Sequence, residues 1–269
     1  MQDLLYHYCS IEKLELILKN KTFRFSSLGV VDDSEESLTA DFDDIGRCCF
    51  VSCWTDLQQE SVEMWRTYTG DNNGVRIGLP IDFFKKNLIL NDNGVPQKSL
   101  ALMDENDCMI SPPYIPELIP ITYTKDDFLI NLPVLKIISN NCSSCSSRSS
   151  TLDLDTRYIG RFKRDYWSGQ SEWRYRLVAI PKQYYRNHES GKYLSEPIDD
   201  AIKLMKEDLT TLPFKDQYID FPFDQTILNH FSITLSPLNT AEDNQNVLDL
   251  LQKYTNNSSI AFSKLKLRK

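Results

Sequence analysis

The stretch LLYHYCSIEKLELILKNKTFRFSS, residues 4–27, decides the fold class of this chain. Its first six residues are aromatic or apolar, which is typical of a β-strand. Ser10 follows as a helix N-cap, although Lys13 stands where a capping box would carry Glu. Leu14 and Ile17 lie at the spacing of one helical face. The stretch therefore opens with a strand and continues as a helix with one apolar side.

The end of the same stretch, TFRFSS at residues 22–27, alternates in polarity and predicts a second strand. Side chains alternate along a strand, so Arg24 and Ser26 share one face of it. A strand, a helix and a strand in succession indicate a mixed α+β domain.

The rest of the chain continues this mixture, with an acidic loop containing a short helix at residues 31–44 and a hairpin signal, NDNG, at 91–94. Further strands are predicted at residues 48–54, 74–79, 172–180 and 227–235. Helices are predicted at residues 59–68, 126–139, 153–167, 198–209 and 241–254. The serine-rich residues 140–150 predict a mobile loop. No linker divides two cores, so residues 1–269 are expected to form one domain.

Composition bounds the function. The 269 residues are 41% hydrophobic and 25% charged, as in globular proteins. The net charge of −8 disfavours stable nucleic-acid binding. A local basic segment, RYIGRFKRDYW at residues 157–167, is either a solvated helix face or a place of brief nucleic-acid contact. No apolar run is long enough to span a bilayer, and the N-terminus lacks a secretory signal, so a cytoplasmic protein is expected.

Seven cysteines show no paired framework, which favours reduced thiols. Cys48, Cys49 and Cys53 fall in an apolar strand and indicate core packing. Cys142 and Cys145 form a single CxxC without a second ligand pair, so no metal site is predicted.

Familiar catalytic motifs are absent from the sequence. It contains no GxGxxG, no GxxxxGK[ST], no HExxH and no GxSxG. These absences argue against dinucleotide-binding doubly wound folds, P-loop enzymes and the common hydrolases.

Three residues remain as candidates for chemistry. His7 is either a core histidine with one satisfied ring nitrogen or a neutral imidazole that donates to a ligand hydroxyl. Tyr68 is either a packed aromatic beside Trp65 or a ring offered to a flat cationic group. Glu172 opens a strand and is expected to be exposed and free to act, or else paired with a neighbouring arginine such as Arg174.

The order of these residues and their surroundings resembles a bacterial family of domains of unknown function. The resemblance rests on LYHYCSIEKLELIL (5–18), TFRFSSL (22–28), MWRTYTGDNNGVRIGL (64–79) and KRDYWSGQSEWRYRLV (163–178). The tail, residues 233–267, resembles the family's closing helix and final SKLKL strand. Family members often carry Asn-Asp-Pro-x-Glu after the second strand, of which only Asp33 and Glu36 are present here, with Ser34 between them. Arg66 departs from a histidine common before the tyrosine.

That family in turn resembles the ADP-ribosyltransferase superfamily, in which a histidine, a tyrosine and a glutamate occur in this order. The resemblance implies a split β-sandwich with flanking helices, and NAD as the substrate that donates ADP-ribose. It implies Glu172, His7 and Tyr68 as catalytic residues. The residues implied to bind NAD are His7, Tyr8, Arg24, Ser26 and Tyr68.

Several alternatives stay open at this point. The domain is an NAD-dependent transferase, a plain NAD hydrolase with water as acceptor, or an inactive module that binds a ligand or a partner. The acceptor is a protein, a nucleic acid, a small molecule or water. Growth arrest on expression would favour a toxin or antiphage role.

Overall fold

The computed structural model describes residues 4–70, 73–84, 102–103, 107–110, 115–141, 148–193, 196–214, 217–256 and 259–267. They form a mixed α+β fold around one large sheet, as the opening stretch predicts. The helices are α1 Ile11–Asn20, α2 Val62–Tyr68, α3 Asp127–Ile130, α4 Lys182–Glu189, α5 Ile198–Thr211 and α6 Ala241–Tyr254. Within these ranges no helix has both the length and the apolar composition that crossing a bilayer requires.

The strands alternate with these helices along the chain. The first eight strands are β1 Leu4–Ser10, β2 Thr22–Ser27, β3 Cys49–Thr55, β4 Gly74–Pro80, β5 Leu102–Met103, β6 Cys108–Ile110, β7 Glu117–Pro120 and β8 Thr122–Thr124. The remaining strands are β9 Leu135–Asn141, β10 Arg148–Leu154, β11 Phe162–Arg164, β12 Glu172–Pro181, β13 Tyr218–Pro222, β14 Ser232–Leu235 and β15 Ile260–Phe262.

The opening strand, helix and strand form as the sequence predicts. The Ser10 hydroxyl accepts from the backbone N–H of Lys13 at 3.3 Å and caps α1. Leu14, Ile17 and Leu18 are the buried residues of that helix. Strand β2 buries Phe23 and Phe25 on one side, together with Ser27, and directs Thr22, Arg24 and Ser26 to the other.

The main sheet forks beside β3. Strand β1 pairs with β3 at Tyr6 and Thr55, whereas β2 pairs with the same edge at Ser26–Val51 and Ser27–Phe50. Both pairings are antiparallel. Strand β1 meets this edge at the last residue of β3, whereas β2 meets it near the first residues of β3. Among the described residues, positions 52–54 of β3 have no partner strand on that edge. The fork leaves room for a cleft between β1 and β2.

An aromatic core supports the base of the fork. Trp54 packs against Phe23 and Phe83, with ring centroids 5.1 and 5.0 Å apart. Phe83 packs in turn against Tyr175 at 5.0 Å. Buried aromatic rings of this kind stabilise a core strongly and hold neighbouring backbone in place. This aromatic core therefore holds the strands that line the cleft in place.

Two predicted helices are wrong. In place of a helix at residues 126–139, α3 is a single turn and β9 follows, because Pro133 disfavours helical backbone in the residue before it. In place of a helix at residues 153–167, the chain forms two 3-10 turns and the short strand β11. Gly160 has φ of +72° there, which is incompatible with a continuous α-helix.

Three smaller predictions also need correction. Residues 140–141 and 148–150 belong to the β9–β10 hairpin rather than to a loop, and 142–147 lie outside the described residues. The predicted strand 227–235 is a 3-10 turn, Gln225–His230, followed by β14. The last strand is β15, ahead of SKLKL. The NDNG hairpin signal lies outside the described residues.

Candidate functional site

The fork of the sheet contains a cleft of about 270 Å³, near the lower end of the size range of small-molecule sites. Strands β1, β2 and β3 supply its floor, and one face of α1, the end of α2 and the start of β12 supply its walls. The six side chains singled out from the sequence all line it: His7, Tyr8, Arg24, Ser26, Tyr68 and Glu172. Residues far apart along the chain thus share one cavity.

His7 is held by the open edge of β3. Its Nδ1 lies 2.9 Å from the carbonyl oxygen of Cys53, and because a carbonyl only accepts, Nδ1 carries the proton. The ring also packs 5.1 Å from Trp54. Burial, only partly offset by the Cys53 bond, lowers the pKa of His7 to about 4, so the imidazole is neutral at neutral pH.

The tautomer changes the expected role of His7. With Nδ1 as donor to Cys53, the second ring nitrogen, Nε2, is an acceptor. In this tautomer Nε2 has no proton for the donation to a ligand hydroxyl that the sequence predicts, and it can only accept a hydrogen bond. The alternative of a core histidine with one satisfied ring nitrogen is confirmed, because the bond to Cys53 satisfies Nδ1.

Tyr68 ends α2, which begins after the Ser61 cap. The phenol is half-buried and packs against the small cluster formed by Tyr8, Met64 and Trp65. Burial raises the pKa of Tyr68, so the hydroxyl stays protonated. Tyr68 therefore both packs against this cluster and lines the cleft.

Glu172 is not exposed, contrary to the sequence-based expectation. Only 5% of the residue is accessible. Arg174 Nε donates to Oε1 at 2.5 Å, and Lys163 Nζ donates to Oε2 at 3.1 Å. Burial opposes ionisation, but the charges of Arg174 and Lys163 outweigh it and lower the pKa of Glu172 to about 2. The alternative of an ion pair with Arg174 is thus the one observed.

Glu36 completes the buried charge cluster around Glu172. Both terminal nitrogens of Arg174 donate to the Glu36 carboxylate, and Nη2 lies 3.0 Å from Oε1. Lys163 Nζ lies 3.4 Å from the same Oε1 atom. Two carboxylates and two cations therefore form a balanced quartet, which we call the charge quartet (Glu36, Lys163, Glu172, Arg174). Sequence reasoning noted each segment but missed the cluster, because Glu36 and Lys163 meet β12 only in the tertiary structure.

Arg24 is already engaged at the other end of the cleft. Its Nε and Nη2 donate to Oδ1 and Oδ2 of Asp220, both at 2.9 Å, and its guanidinium lies 3.6 Å from the centre of the Tyr218 ring. Strand β13 brings Asp220 directly opposite Arg24 in the sheet. This pairing was not foreseen from the sequence, since it joins distant segments.

The thiol nearest the site belongs to Cys53. Burial first, and the Glu172 charge second, hold the pKa of this thiol well above its ordinary value, so it stays protonated. Cys48 and Cys49 are buried, as core packing predicts, and the five described cysteines are free. Cys142 and Cys145 lie outside the described residues.

The basic segment 157–167 is neutralised by acidic neighbours. Arg157 pairs with Asp155 at 2.7 Å, and Arg164 pairs with Glu35 and Asp127 at 2.8 and 2.7 Å. The segment forms 3-10 turns and strand β11, so it is not the solvated helix face that one interpretation expects. Within the described residues these pairs leave little net charge there to attract a phosphate backbone.

Comparison with known protein families shows a partial similarity. A family model described as "Protein of unknown function (DUF2971)" matches residues 64–175, which is less than half of the 269-residue chain. The matched region contains Tyr68, Lys163 and Glu172, but neither His7 nor Arg24. No curated protein and no solved structure matches the chain. Over residues 64–175, the chain is thus similar to a family of uncharacterised domains.

Proposed function

We propose that this chain binds NAD in the forked cleft and breaks the bond between nicotinamide and its ribose. The ADP-ribosyl group then passes to an acceptor or to water. One observation supports this most: His7, Tyr68 and Glu172, which come from β1, α2 and β12, line the same cavity. The proposal follows the resemblance to ADP-ribosyltransferases, and the cleft supplies a site for it.

The chemistry requires little acid catalysis. When the bond from ribose C1 to the nicotinamide nitrogen breaks, its electron pair goes to nicotinamide, which leaves as a neutral molecule. The remaining ribosyl group has oxocarbenium character, as in glycoside cleavage. Water or an acceptor hydroxyl, thiol or amine then bonds to C1 and loses its proton. The protein's task is to position the ligand and to stabilise positive charge at C1.

Glu172 suits the second task because it is ionised at neutral pH. A carboxylate offers about four acceptor positions, and Arg174 and Lys163 occupy two of them. The Cys53 thiol donates to a third. The remaining lone pair is available for a ribose hydroxyl, and the ion pairs fix the carboxylate's orientation. In this scheme Nε2 of His7 accepts from a second ribose hydroxyl, while the Tyr68 ring stacks on nicotinamide.

A second candidate function has its own support. The charge of Glu172 is already balanced within the charge quartet. A compensated anion stabilises a developing cation less than a free one does, since its neighbours repel that cation. A module that binds a nucleotide without cleaving it is consistent with this arrangement.

Release of nicotinamide separates the two functions. The full chain is incubated with NAD, and nicotinamide and free ADP-ribose are quantified by chromatography. Release that is lost in Glu172→Gln but kept in Glu207→Gln, an exposed glutamate on α5, would support cleavage. Binding of NAD without release would favour the module, and no binding at all would contradict both. Equal amounts of nicotinamide and ADP-ribose would indicate hydrolysis, and a deficit of ADP-ribose would indicate transfer.

A further inference from the structure

One face of α1 forms a continuous wall of the cleft. Lys13, Leu16, Ile17 and Asn20 line it, at intervals that place them on one side of the helix. With a rise of 1.5 Å per residue, this wall extends over about 10 Å. It is polar at both ends and apolar in the middle.

The ionised side chains of the cleft differ in how their charge is compensated. Arg24 is paired with Asp220 through two hydrogen bonds, and Glu172 belongs to the charge quartet. Lys13 is exposed, and the described part of the chain provides no ion pair for it. The cleft therefore has one uncompensated positive charge among its described residues, and it is on α1.

The position of Lys13 within α1 also indicates a role other than stabilising the helix. It is the third residue after the Ser10 cap, where a capping box carries an acid. A cation in the first turn also opposes the helix dipole. The charge of the Lys13 side chain thus does not stabilise the helix at this place, and residues that break a local rule often serve function.

The positive charge of Lys13 affects His7, which lies at the candidate catalytic end of the cleft. Burial is the main reason that the pKa of His7 is lowered, and the positive charge of Lys13 adds to it. Lys13 and His7 also line the same cleft, so a ligand bound there can contact both side chains.

We infer that Lys13, rather than Arg24, binds the phosphate groups of the ligand in this cleft. The inference rests on the proposed function in so far as the ligand is a nucleotide with a pyrophosphate. Arg24 then lines the cleft as a neutral ion pair with Asp220, with its guanidinium resting over the Tyr218 ring. This revises the expectation that Arg24 meets the pyrophosphate.

Calorimetric titration with ADP-ribose, which carries the pyrophosphate, and with adenosine, which does not, tests the inference on the full chain. Lys13→Met keeps the length and apolar stem of the side chain. It is expected to weaken ADP-ribose binding about tenfold or more, as for loss of a charged hydrogen bond, and to leave adenosine binding unchanged. Lys19→Met is the matched control, since Lys19 is exposed on the same helix and does not line the cleft.

The outcomes separate this inference from the proposed activity. ADP-ribose binding that depends on Lys13, in a protein that does not cleave NAD, supports the inference and removes the activity. NAD cleavage with kcat/KM unchanged in Lys13→Met removes the inference and keeps the activity. Loss of ADP-ribose affinity in Arg24→Met, with none in Lys13→Met, would return the phosphate contact to Arg24. A chain that does not bind ADP-ribose at all also overturns the inference.

Discussion

Arg174 donates from Nε to Oε1 of Glu172 at 2.5 Å, and its terminal nitrogens hold Glu36 on the opposite side. The guanidinium is 1% exposed, so both acids depend on it for compensation of their charge. The ion pairs of Glu172 therefore determine its position and its ionisation, and they also contribute to the stability of the fold. Replacing this residue affects stability as well as any chemistry, and the two effects must be measured separately.

Glu172→Gln is expected to destabilise the fold by about 3–5 kcal/mol, because it leaves an excess buried positive charge. The double variant Glu172→Gln with Lys163→Met restores charge balance, since Arg174 then faces Glu36 alone. The double variant should therefore lose less stability than the two single effects added together. Urea unfolding followed by circular dichroism measures all three. Strict additivity would show that the quartet is not energetically coupled.

Acid stability offers a separate test of the Glu172 ion pairs. The pKa of Glu172 is lowered to about 2, below its ordinary value of 4.5, so its stabilising contribution is present above pH 4.5. That contribution is lost as pH falls through 2, because the unfolded state binds the proton first. The unfolding free energy of Glu172→Gln should consequently depend less steeply on pH between 4.5 and 2 than that of the natural chain. Parallel curves for the two proteins would argue against ionised Glu172 in the folded state.

His7 should titrate far below its ordinary range. The chain has only three histidines, so the imidazole resonances can be assigned by NMR with a single His7→Phe variant. The His7 resonance is expected to titrate near pH 4 rather than 6.5, because burial disfavours the imidazolium. Stability should fall as pH decreases from 6.5 to 4, by at most about 3 kcal/mol from this residue. His7→Phe should lack that fall, and a titration near 6.5 would refute the neutral, acceptor role.

Tyr68 is expected to act through its ring and not its hydroxyl. Tyr68→Phe should bind NAD as the natural chain does, whereas Tyr68→Ala should bind it several-fold more weakly, since an aromatic face attracts a cationic ring by about 0.5–2 kcal/mol. ADP-ribose lacks nicotinamide and provides the control, because its affinity should be equal in both variants. Equal loss for NAD and ADP-ribose in Tyr68→Ala would indicate a purely structural role in the α2 cluster.

Gly160 contributes a backbone hydrogen bond to Arg174 of the charge quartet. Its carbonyl accepts from Arg174 at 3.2 Å, its φ is +72°, and an added Cβ would lie 2.8 Å from Cδ1 of buried Leu28. Gly70 has a similar φ of +66° with nothing within 4 Å, which makes it a matched control. Both alanine variants should lose about 1–2 kcal/mol from backbone strain, and Gly160→Ala should lose about 1–3 kcal/mol more from overpacking. Thermal unfolding compares them, and equal losses would show that Leu28 yields without cost.

Local patterns were sufficient for several elements. The strand, helix and strand of residues 4–27 were predicted correctly, because the Ser10 cap, the helical spacing and the alternation of TFRFSS are all local signals. Strand β12 and helices α5 and α6 were predicted for the same reason. The two wrong helices both lie between residues 126 and 167. Strand β11 there pairs with β8, which lies well before it in the chain, and local propensity does not identify such a partner. Strands β9 and β10 pair with each other as a hairpin, which the helical pattern of residues 126–139 does not indicate.

The sequence by itself determined the mixed α+β class and the residue types available for chemistry, since both follow from side-chain spacing and identity. Only the tertiary structure decided which charges are compensated. Asp220 reaches Arg24 through the β2–β13 pairing, and Glu36 and Lys163 reach Glu172 through packing against β12. Charge compensation depends on distance in space and on burial, and neither quantity is recorded in the order of residues along the chain.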